Sequence, residues 1–471
     1  MKKTKIICSI GPASQSVDVM SEMVLNGMNV ARVNFSHGNY QEYTDILNVV
    51  KETRIRTNRN IAILYDTKGP DFRCGEIKEE GINLVPGGLV KIVKNSVIGE
   101  NNYFSVNHPE VLDKINVGNI VLLEDALMKL EVINKDETGL TCKVIDGGIL
   151  KSKKGIAVPG VELDIPFMSE QDKKDIEFAC LNEGDFIALS FVESAENVRQ
   201  VKELLRQFNR DDMKIISKVE SQTGVNNLLG IIDESDGIMV ARGDLGVEVP
   251  IEKLPGIQKD MIRYCREKEK FVIVATEMLA SMYESSRPTR AEVTDISNAV
   301  LDGADAVMLS GESTVGKHPI DAVRYMAKIC EESEQNELYA TKFKHNMNND
   351  ITEAIATSVI DSSNSLNVKA IVVPTTGGHS ARVISNLRPK SMILALCPNE
   401  GVARKLLLNY GVYPIVTSLV KDDDMDETVN NARQEAITFL GLKSNDIIII
   451  TGGIHNNRAI KQTNFMKIEE I

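Results

Sequence analysis

The chain has 471 residues, 42% hydrophobic and 26% charged with no tryptophan, which is too long for one ordinary core and points to two to four soluble domains. No apolar run nears the length of a bilayer span, and 54 Lys+Arg against 67 Asp+Glu give a net charge of −13, which excludes a membrane span and argues against a nucleic-acid partner. Seven scattered cysteines without a C-x-x-C pair indicate neither a zinc knuckle nor a disulfide framework, and an N-terminus without a long apolar stretch fits a reducing, cytoplasmic setting.

Short β-branched runs at 5–9, 30–34 and 61–66 alternate with stretches of helical spacing. The first helix is expected to start at Ser16 as N-cap, to bury a stripe of Val17, Met20, Val24 and Leu25, and to end before Gly27. After Pro70 the texture turns to short strands, at 89–93, 120–123 and 140–145, with turns at 134–139 and 146–148. This predicts an inserted small β-barrel domain. From Ser169 the alternation resumes with strands at 186–191, 215–219, 237–241, 271–275 and 306–309. Three strands before the insertion and five after it make eight, the number that closes a (β/α)8 barrel with its chemistry on the loops after the strand C-termini. A polar stretch at 331–350 precedes a second series at 371–373, 392–396, 412–415 and 447–450, predicting an open α/β C-terminal domain. The expected division is 1–69 with 168–338 for the barrel, 70–167 for the insert and 339–471 for the last domain.

Six of the eight strands end in polar groups: Arg32, Asn34, Ser36 and His37 after the second, and Asp66, Thr67 and Lys68 after the third. Lys218 and Glu220 follow on the fifth, Arg242 and Asp244 on the sixth, Thr276 on the seventh, and Ser310 and Glu312 on the eighth. Each alone reads equally well as a surface charge, a cap or a turn former. Together at one end of a barrel they point to catalysis. Glu220 and Asp244, from neighbouring strands, could share a hard divalent ion such as Mg²⁺ or Mn²⁺, although Glu220 alone also suits a helix start. Gly243 and Gly246 around Asp244 would let backbone amides approach an anion, or merely make a turn. Lys218 and Glu220 share a face by period-two alternation, so a buried lysine beside a metal calls for an anion between them. A phosphoryl group would serve, with Arg32 as a second, forked donor. Asn34, Ser36, Asp66 and Thr67 offer oxygen ligands with one charge, enough for a monovalent cation or for a plain hydrogen-bonded loop.

The segments IICSIGPAS, NVARVNFSHG, DTKGP, IISKVE, DGIMVARGDLGVE, RPTRAEVTDISNAVLDGADAVMLSGES and GKHPIDAV, in that order over nearly the whole chain, resemble the pyruvate kinase family. The resemblance implies transfer of the phosphoryl group of phosphoenolpyruvate to ADP, giving pyruvate and ATP in the last step of glycolysis. It implies that Lys218 steadies the phosphoryl group and the enolate, that Arg32 holds the phosphate, and that Gly243, Asp244 and Thr276 meet the substrate. Glu220 and Asp244 would bind Mg²⁺ or Mn²⁺, and Asn34, Ser36, Asp66 and the Thr67 carbonyl would bind K⁺. Thr276 would deliver a proton with Ser310 and Glu312 in a water relay. Arg73, His37, Asn34, Asp125 and a lysine of the SKKG run, Lys153 or Lys154, would face the nucleotide, with the insert as a mobile lid. In the last domain Thr375, Thr376, Gly377, Gly378, His379 and Ser380 resemble a loop for a sugar-phosphate or AMP effector. The family is usually a homotetramer.

Departures from the family pattern are Asp71, Phe72, Glu124, Ala126, Ala157 and Glu277, the last adding charge beside Thr276. Two other functions fit parts of the pattern. A metal-dependent lyase or mutase acting on a pyruvate enolate could use the same metal and lysine. A catalytically weak paralogue could serve as a metabolite-binding regulatory subunit.

Overall fold

The computed structural model describes residues 2–161, 163–336, 350–418, 425–453 and 462–471. Its first helix, Val17–Leu25, starts where the Ser16 side chain accepts the Val19 amide, and the chain leaves through Gly27 at φ 124°. Leu25, expected on the buried stripe, is 61% exposed, and Met23 is buried instead.

Eight parallel strands close a barrel: Lys5–Ser9, Val30–Asn34, Ala62–Asp66, Phe186–Leu189, Lys214–Val219, Gly237–Ala241, Phe271–Ala275 and Ala306–Leu309. They follow one another around the ring, and the first pairs with both the second and the eighth. Alternate side chains divide between two cores. Ile7, Val30, Leu64, Ala188, Ile216, Met239, Ile273 and Met308 fill the interior, while the other parity packs against the surrounding helices. The interior parity continues upward from these residues into Ser9, Arg32, Asp66, Ser190, Lys218 and Ser310. One alternation thus builds both the apolar plug and the polar rim above it.

Between the third and fourth strands lies the β insert, a six-stranded sheet and a two-stranded ribbon around one apolar cluster drawn from residues 72–158. Its edges meet through Arg73, which bridges Gly155 beside one edge strand, and Cys74, which bridges Val106 beside the other. The expected turns are tighter than their sequence suggests. Met128–Asp136 and Gly139–Asp146 leave two residues between them, and Gly147 alone separates the latter strand from Gly148–Leu150. A Cβ on Gly147 would lie 2.2 Å from the Leu84 carbonyl, so no side chain fits there.

The helix Pro319–Ser333 runs into the expected polar boundary, of which 337–349 lie outside the described residues. The last domain is a five-stranded sheet ordered Val412–Val416, Met392–Cys397, Ala370–Pro374, Ile447–Gly452 and Phe465–Glu470. Four strands are parallel, and the last, which the sequence reading lacked, adds an antiparallel edge. All seven cysteines are buried free thiols, and no described helix is long and apolar enough to cross a membrane.

The last domain closes the base of the barrel. Leu407 and Leu408 join the interior cluster, Arg404 Nε donates to both Asp185 oxygens at 3.0 and 3.1 Å, and Arg388 pairs with Asp305 at 3.0 Å. Burial pushes the Asp305 carboxyl from its ordinary 3.8 up to about 7, against the opposing pull of Arg266 and of the Val272 and Tyr410 amides. The unfolded chain releases this proton near the ordinary value, whereas the folded chain holds it to about 7. The stability contributed is therefore complete below about pH 4 and is lost as the pH rises through about 7. Asp305→Asn should flatten the stability–pH profile across this window by about 1–3 kcal/mol. Urea titrations of both proteins at about pH 5 and about pH 8 measure it, and parallel profiles would count against this assignment.

Candidate active site

The C-terminal rim opens into a cavity of about 1760 Å³ between the barrel and the insert, lined among others by Arg32, His37, Arg73, Lys218, Glu220 and Asp244. At its floor four side chains of interior parity form one charged chain. Arg32 Nε donates to Asp66 Oδ2 at 2.7 Å, and Lys218 Nζ donates to Asp66 Oδ1 at 3.1 Å. The same ammonium lies 3.1 Å from Glu220 Oε1. Asp66 and Glu220 are both fully buried. Burial alone would raise the Asp66 carboxyl, but Arg32 and Lys218 outweigh it and hold it below its ordinary value. For Lys218 burial works against the charge, and Asp66 and Glu220 outweigh it, so the ammonium is held more firmly than usual. Glu220 goes the other way. Burial pushes its carboxyl up to about 7, with Lys218 opposing and Asp244 adding to the push.

Glu220 Oε2 accepts the Phe191 amide at 2.7 Å, whereas the buried Oε1 makes no hydrogen bond and has the Lys218 ammonium beside it at 3.1 Å. Asp244 stands exposed in the first turn of Arg242–Glu248 and lines the same cavity. A carboxylate oxygen with no hydrogen bond of its own, near a solvent-facing carboxylate, suits a hard divalent cation. Among the described residues no group of three or more His, Cys, Asp or Glu side chains could hold a metal, so the remaining ligands would be substrate and water.

Asn34 and Asp66 are cross-strand partners, and the Asn34 Oδ1 accepts the Ser36 amide at 3.0 Å. Thr67 follows directly, so the four expected ligands of a monovalent cation are neighbours. Thr276 does not line the cavity, but its Oγ1 accepts the Gly243 amide at 2.8 Å, one residue from Asp244. Thr276 and Glu277 have φ of 67° and 54°, an unfavourable region for a β-branched residue. Arg242 holds this backbone, donating to the Thr276 carbonyl at 2.6 Å and to both oxygens of Asp295 at 2.8 and 2.6 Å. Glu312 is buried, and its two oxygens accept the amides of Leu279 at 3.0 Å and Ser310 at 2.7 Å. It ties the loops of strands seven and eight together.

On the insert, Lys154 and Asp125 line the cavity, whereas Lys153 is outside it, paired with Glu76 at 2.9 Å. Lys154 is paired too, with Glu124 at 2.5 Å, so the two lysines differ in that only Lys154 lines the cavity. Glu124, Asp125 and Ala126 are three successive left-handed residues, and Ala126 has no glycine's freedom there. Asp71 pairs with Lys68 at 2.8 Å and with Arg73 at 2.5 Å, fixing Arg73 at the cavity mouth. In the last domain Thr375 Oγ1 accepts the Gly378 amide at 2.9 Å at the head of the helix His379–Asn386. Thr376 and Gly377 are exposed, and Ser380 Oγ meets Thr463 Oγ1 at 2.7 Å. Residues 454–461, shortly before Thr463, lie outside the described residues.

Strands one and four carried no expected site residue, yet both supply one. Ser9 Oγ accepts Arg32 Nη1 at 2.7 Å, and Ser190 Oγ accepts Lys218 Nζ at 2.7 Å. Their position was the available signal, since each is a small polar residue on interior parity where an apolar strand ends. The sequence reading took the fourth strand through residue 191, but it stops at Leu189, which releases Ser190 into the rim.

An α/β barrel whose rim sets a buried Lys and Arg among carboxylates, under an inserted β domain, is an enzyme that handles a phosphorylated anion. Comparison narrows the class. The family model "Pyruvate kinase, barrel domain" matches residues 1–323 and "Pyruvate kinase, alpha/beta domain" matches 353–469. The pyruvate kinase of Bacillus licheniformis is 42% identical, with 99% of this chain and 80% of that relative aligned. That of Geobacillus stearothermophilus is 41% identical, over 100% of this chain and 80% of the relative. A crystal structure of a pyruvate kinase from Cryptosporidium parvum superposes with a TM-score of 0.91 at 35% identity, covering 100% of this chain and 96% of that one. The chain belongs to the pyruvate kinase family.

Proposed function

We propose that the protein transfers the phosphoryl group of phosphoenolpyruvate to ADP at this rim, forming pyruvate and ATP, with dependence on Mg²⁺ or Mn²⁺ and on K⁺. The observation that carries the reading is the buried chain Arg32–Asp66–Lys218–Glu220, whose cations face the cavity and whose last carboxylate oxygen lacks a hydrogen bond. Phosphoryl transfer asks the protein mainly to position reactants and to stabilise charge. Arg32 and Lys218 are the donors for the transferring group, and Lys218 also stabilises the enolate that is left. Gly243 and Asp244 would meet the substrate carboxylate, with the Asp244 amide as the donor, since the Gly243 amide is engaged by Thr276 Oγ1 at 2.8 Å. Thr276, held in its strained conformation by Arg242, is within reach of that same segment and is the proposed proton-delivering group for the enolate carbon. The two bonds of Glu312 to backbone amides favour a positioning role beside Ser310.

Glu220 and Asp244 would hold the divalent ion, which supplies positive charge to the substrate oxygens. Asn34, Ser36, Asp66 and the Thr67 carbonyl would hold K⁺. Arg73, His37, Asn34, Lys154 and Asp125 would meet the nucleotide. In this reading the insert, residues 70–167, is a mobile lid whose closure keeps water from the phosphoryl group. The barrel comprises 1–69 and 168–338, and residues 339–471 form a regulatory domain whose Thr375–Ser380 loop takes a sugar phosphate or AMP. A cytoplasmic homotetramer completes the proposal. A metabolite-binding paralogue gains no support, since the charged rim is intact and the matched relatives carry the enzyme's name.

Pyruvate release from phosphoenolpyruvate should require ADP and Mg²⁺ and should rise at least about tenfold when K⁺ replaces tetramethylammonium. Release without ADP would favour a lyase. A rate indifferent to K⁺ would remove the monovalent site from the proposal.

A further inference from the structure

Ser190 is 3% exposed and bridges the phosphoryl-handling lysine to the Thr67 carbonyl, beside the direct bond of Lys218 to Asp66 at 3.1 Å. Its Oγ accepts a hydrogen bond from Lys218 Nζ at 2.7 Å and donates to the Thr67 carbonyl at 2.6 Å. Asp66 Oδ1 is farther, at 3.4 Å, so the single hydroxyl proton belongs on the Thr67 carbonyl and a lone pair is left for the ammonium. The direction of the relay is therefore fixed: Lys218 N–H to Ser190 oxygen, Ser190 O–H to Thr67 oxygen. A carbonyl oxygen has two lone pairs, and Ser190 uses one, which leaves the other for a cation.

The surroundings admit little rearrangement. Gly69, at φ 70°, lies against Ser190, and a Cβ there would fall 2.8 Å from the Ser190 Cβ and 2.9 Å from its carbonyl oxygen. The Ser190 amide in turn donates to Thr67 Oγ1 at 3.3 Å. The serine is thus clamped to the third-strand loop by backbone and side chain together.

We propose that Ser190 is a positioning residue that couples the monovalent-cation cluster to Lys218: a cation bound at the Thr67 carbonyl orients the hydroxyl, and the hydroxyl orients the ammonium. The inference rests on the proposed cation reading of Asn34, Ser36, Asp66 and Thr67. A hydroxyl between a charged donor and a ligand carbonyl belongs to the stronger class of hydrogen bonds, so its loss should be plain in the cation response.

The test uses the full chain and Ser190→Ala, with Ser190→Cys as a second variant that keeps a weak donor in a similar volume. Two readouts are taken against K⁺ concentration. One is the steady-state rate, and the other is the melting temperature without substrates. The K⁺ concentration for half-maximal effect should rise about tenfold in Ser190→Ala on both readouts, and less in Ser190→Cys. The kcat at saturating K⁺ should fall while the KM for ADP holds. An unaltered half-maximal K⁺ concentration in either variant that folds, beside a wild-type chain that does respond to K⁺, overturns the coupling whatever happens to kcat. A wild-type chain that ignores K⁺ in both readouts overturns the cation reading itself, and the coupling falls with it.

Discussion

Lys218→Met should lower kcat about 10³-fold or more while changing the KM for ADP little. Loss of one preorganised donor to developing charge typically costs about 10²–10³ in rate. Lys218 should exceed that, because its single ammonium contacts Asp66 at 3.1 Å, Glu220 at 3.1 Å and Ser190 at 2.7 Å, so its removal also disorganises the floor. Methionine keeps the length and apolar stem of the side chain, and Asp66 retains its bond to Arg32 at 2.7 Å, so the variant should still fold. Lys218→Arg should not restore more than about a tenth of the activity, since a planar fork cannot meet three acceptors arranged about a point charge. Steady-state assays with melting curves as the folding control check both. A Lys218→Met enzyme within about tenfold of wild type would refute the assignment of this lysine to the transferring phosphoryl group.

Period-two alternation made the floor legible in the sequence, because a strand is rigid enough that parity predicts direction. Lys218 and Glu220 two residues apart had to share a face, and they lie on the same interior face as Ile216. Parity fails where the backbone leaves the strand. Thr276 has the wrong parity for the interior and reaches Gly243 because its φ of 67° turns the chain, a conformation braced by Arg242 from the helix that follows the sixth strand. The choice between Lys153 and Lys154 was closed to sequence for a related reason, since Lys153 itself adopts φ 59° and adjacent residues in a turn have no fixed alternation. The hairpin turn at 134–139 was overdrawn because Asn134, Lys135 and Asp136 look like turn residues yet sit in a strand, next to a bulge that accommodates them. The final antiparallel strand, Phe465–Glu470, is polar enough to pass for a tail, since five of its six residues lie on an exposed or half-exposed edge and only Phe465 is buried.

Nothing in the local sequence announced that the last domain would plug the barrel, and that contact carries the second large effect. Leu408→Ala should destabilise the protein by about 3–5 kcal/mol, at the upper end for a leucine truncation. The side chain is fully buried in the cluster that contains Ile7, Phe186 and Phe271, whose rings meet edge to face at 6.0 Å. Strand backbones around a closed barrel are fixed by their ladders, so the space cannot collapse and the cavity cost is paid in full. The ion pair that flanks the plug acts differently. Arg404–Asp185 is largely buried, and what it gains in attraction it mostly loses in desolvation, so it orients the domain more than it stabilises it. Truncating the leucine should therefore lower the urea midpoint and separate the barrel and last-domain transitions, whereas Arg404→Met with Asp185→Asn, which keeps an acceptor for the buried Ile63 amide, should shift the midpoint less. A Leu408→Ala loss below about 1 kcal/mol, or a larger loss from the double variant, would mean that the charges and not the leucines hold the two domains together.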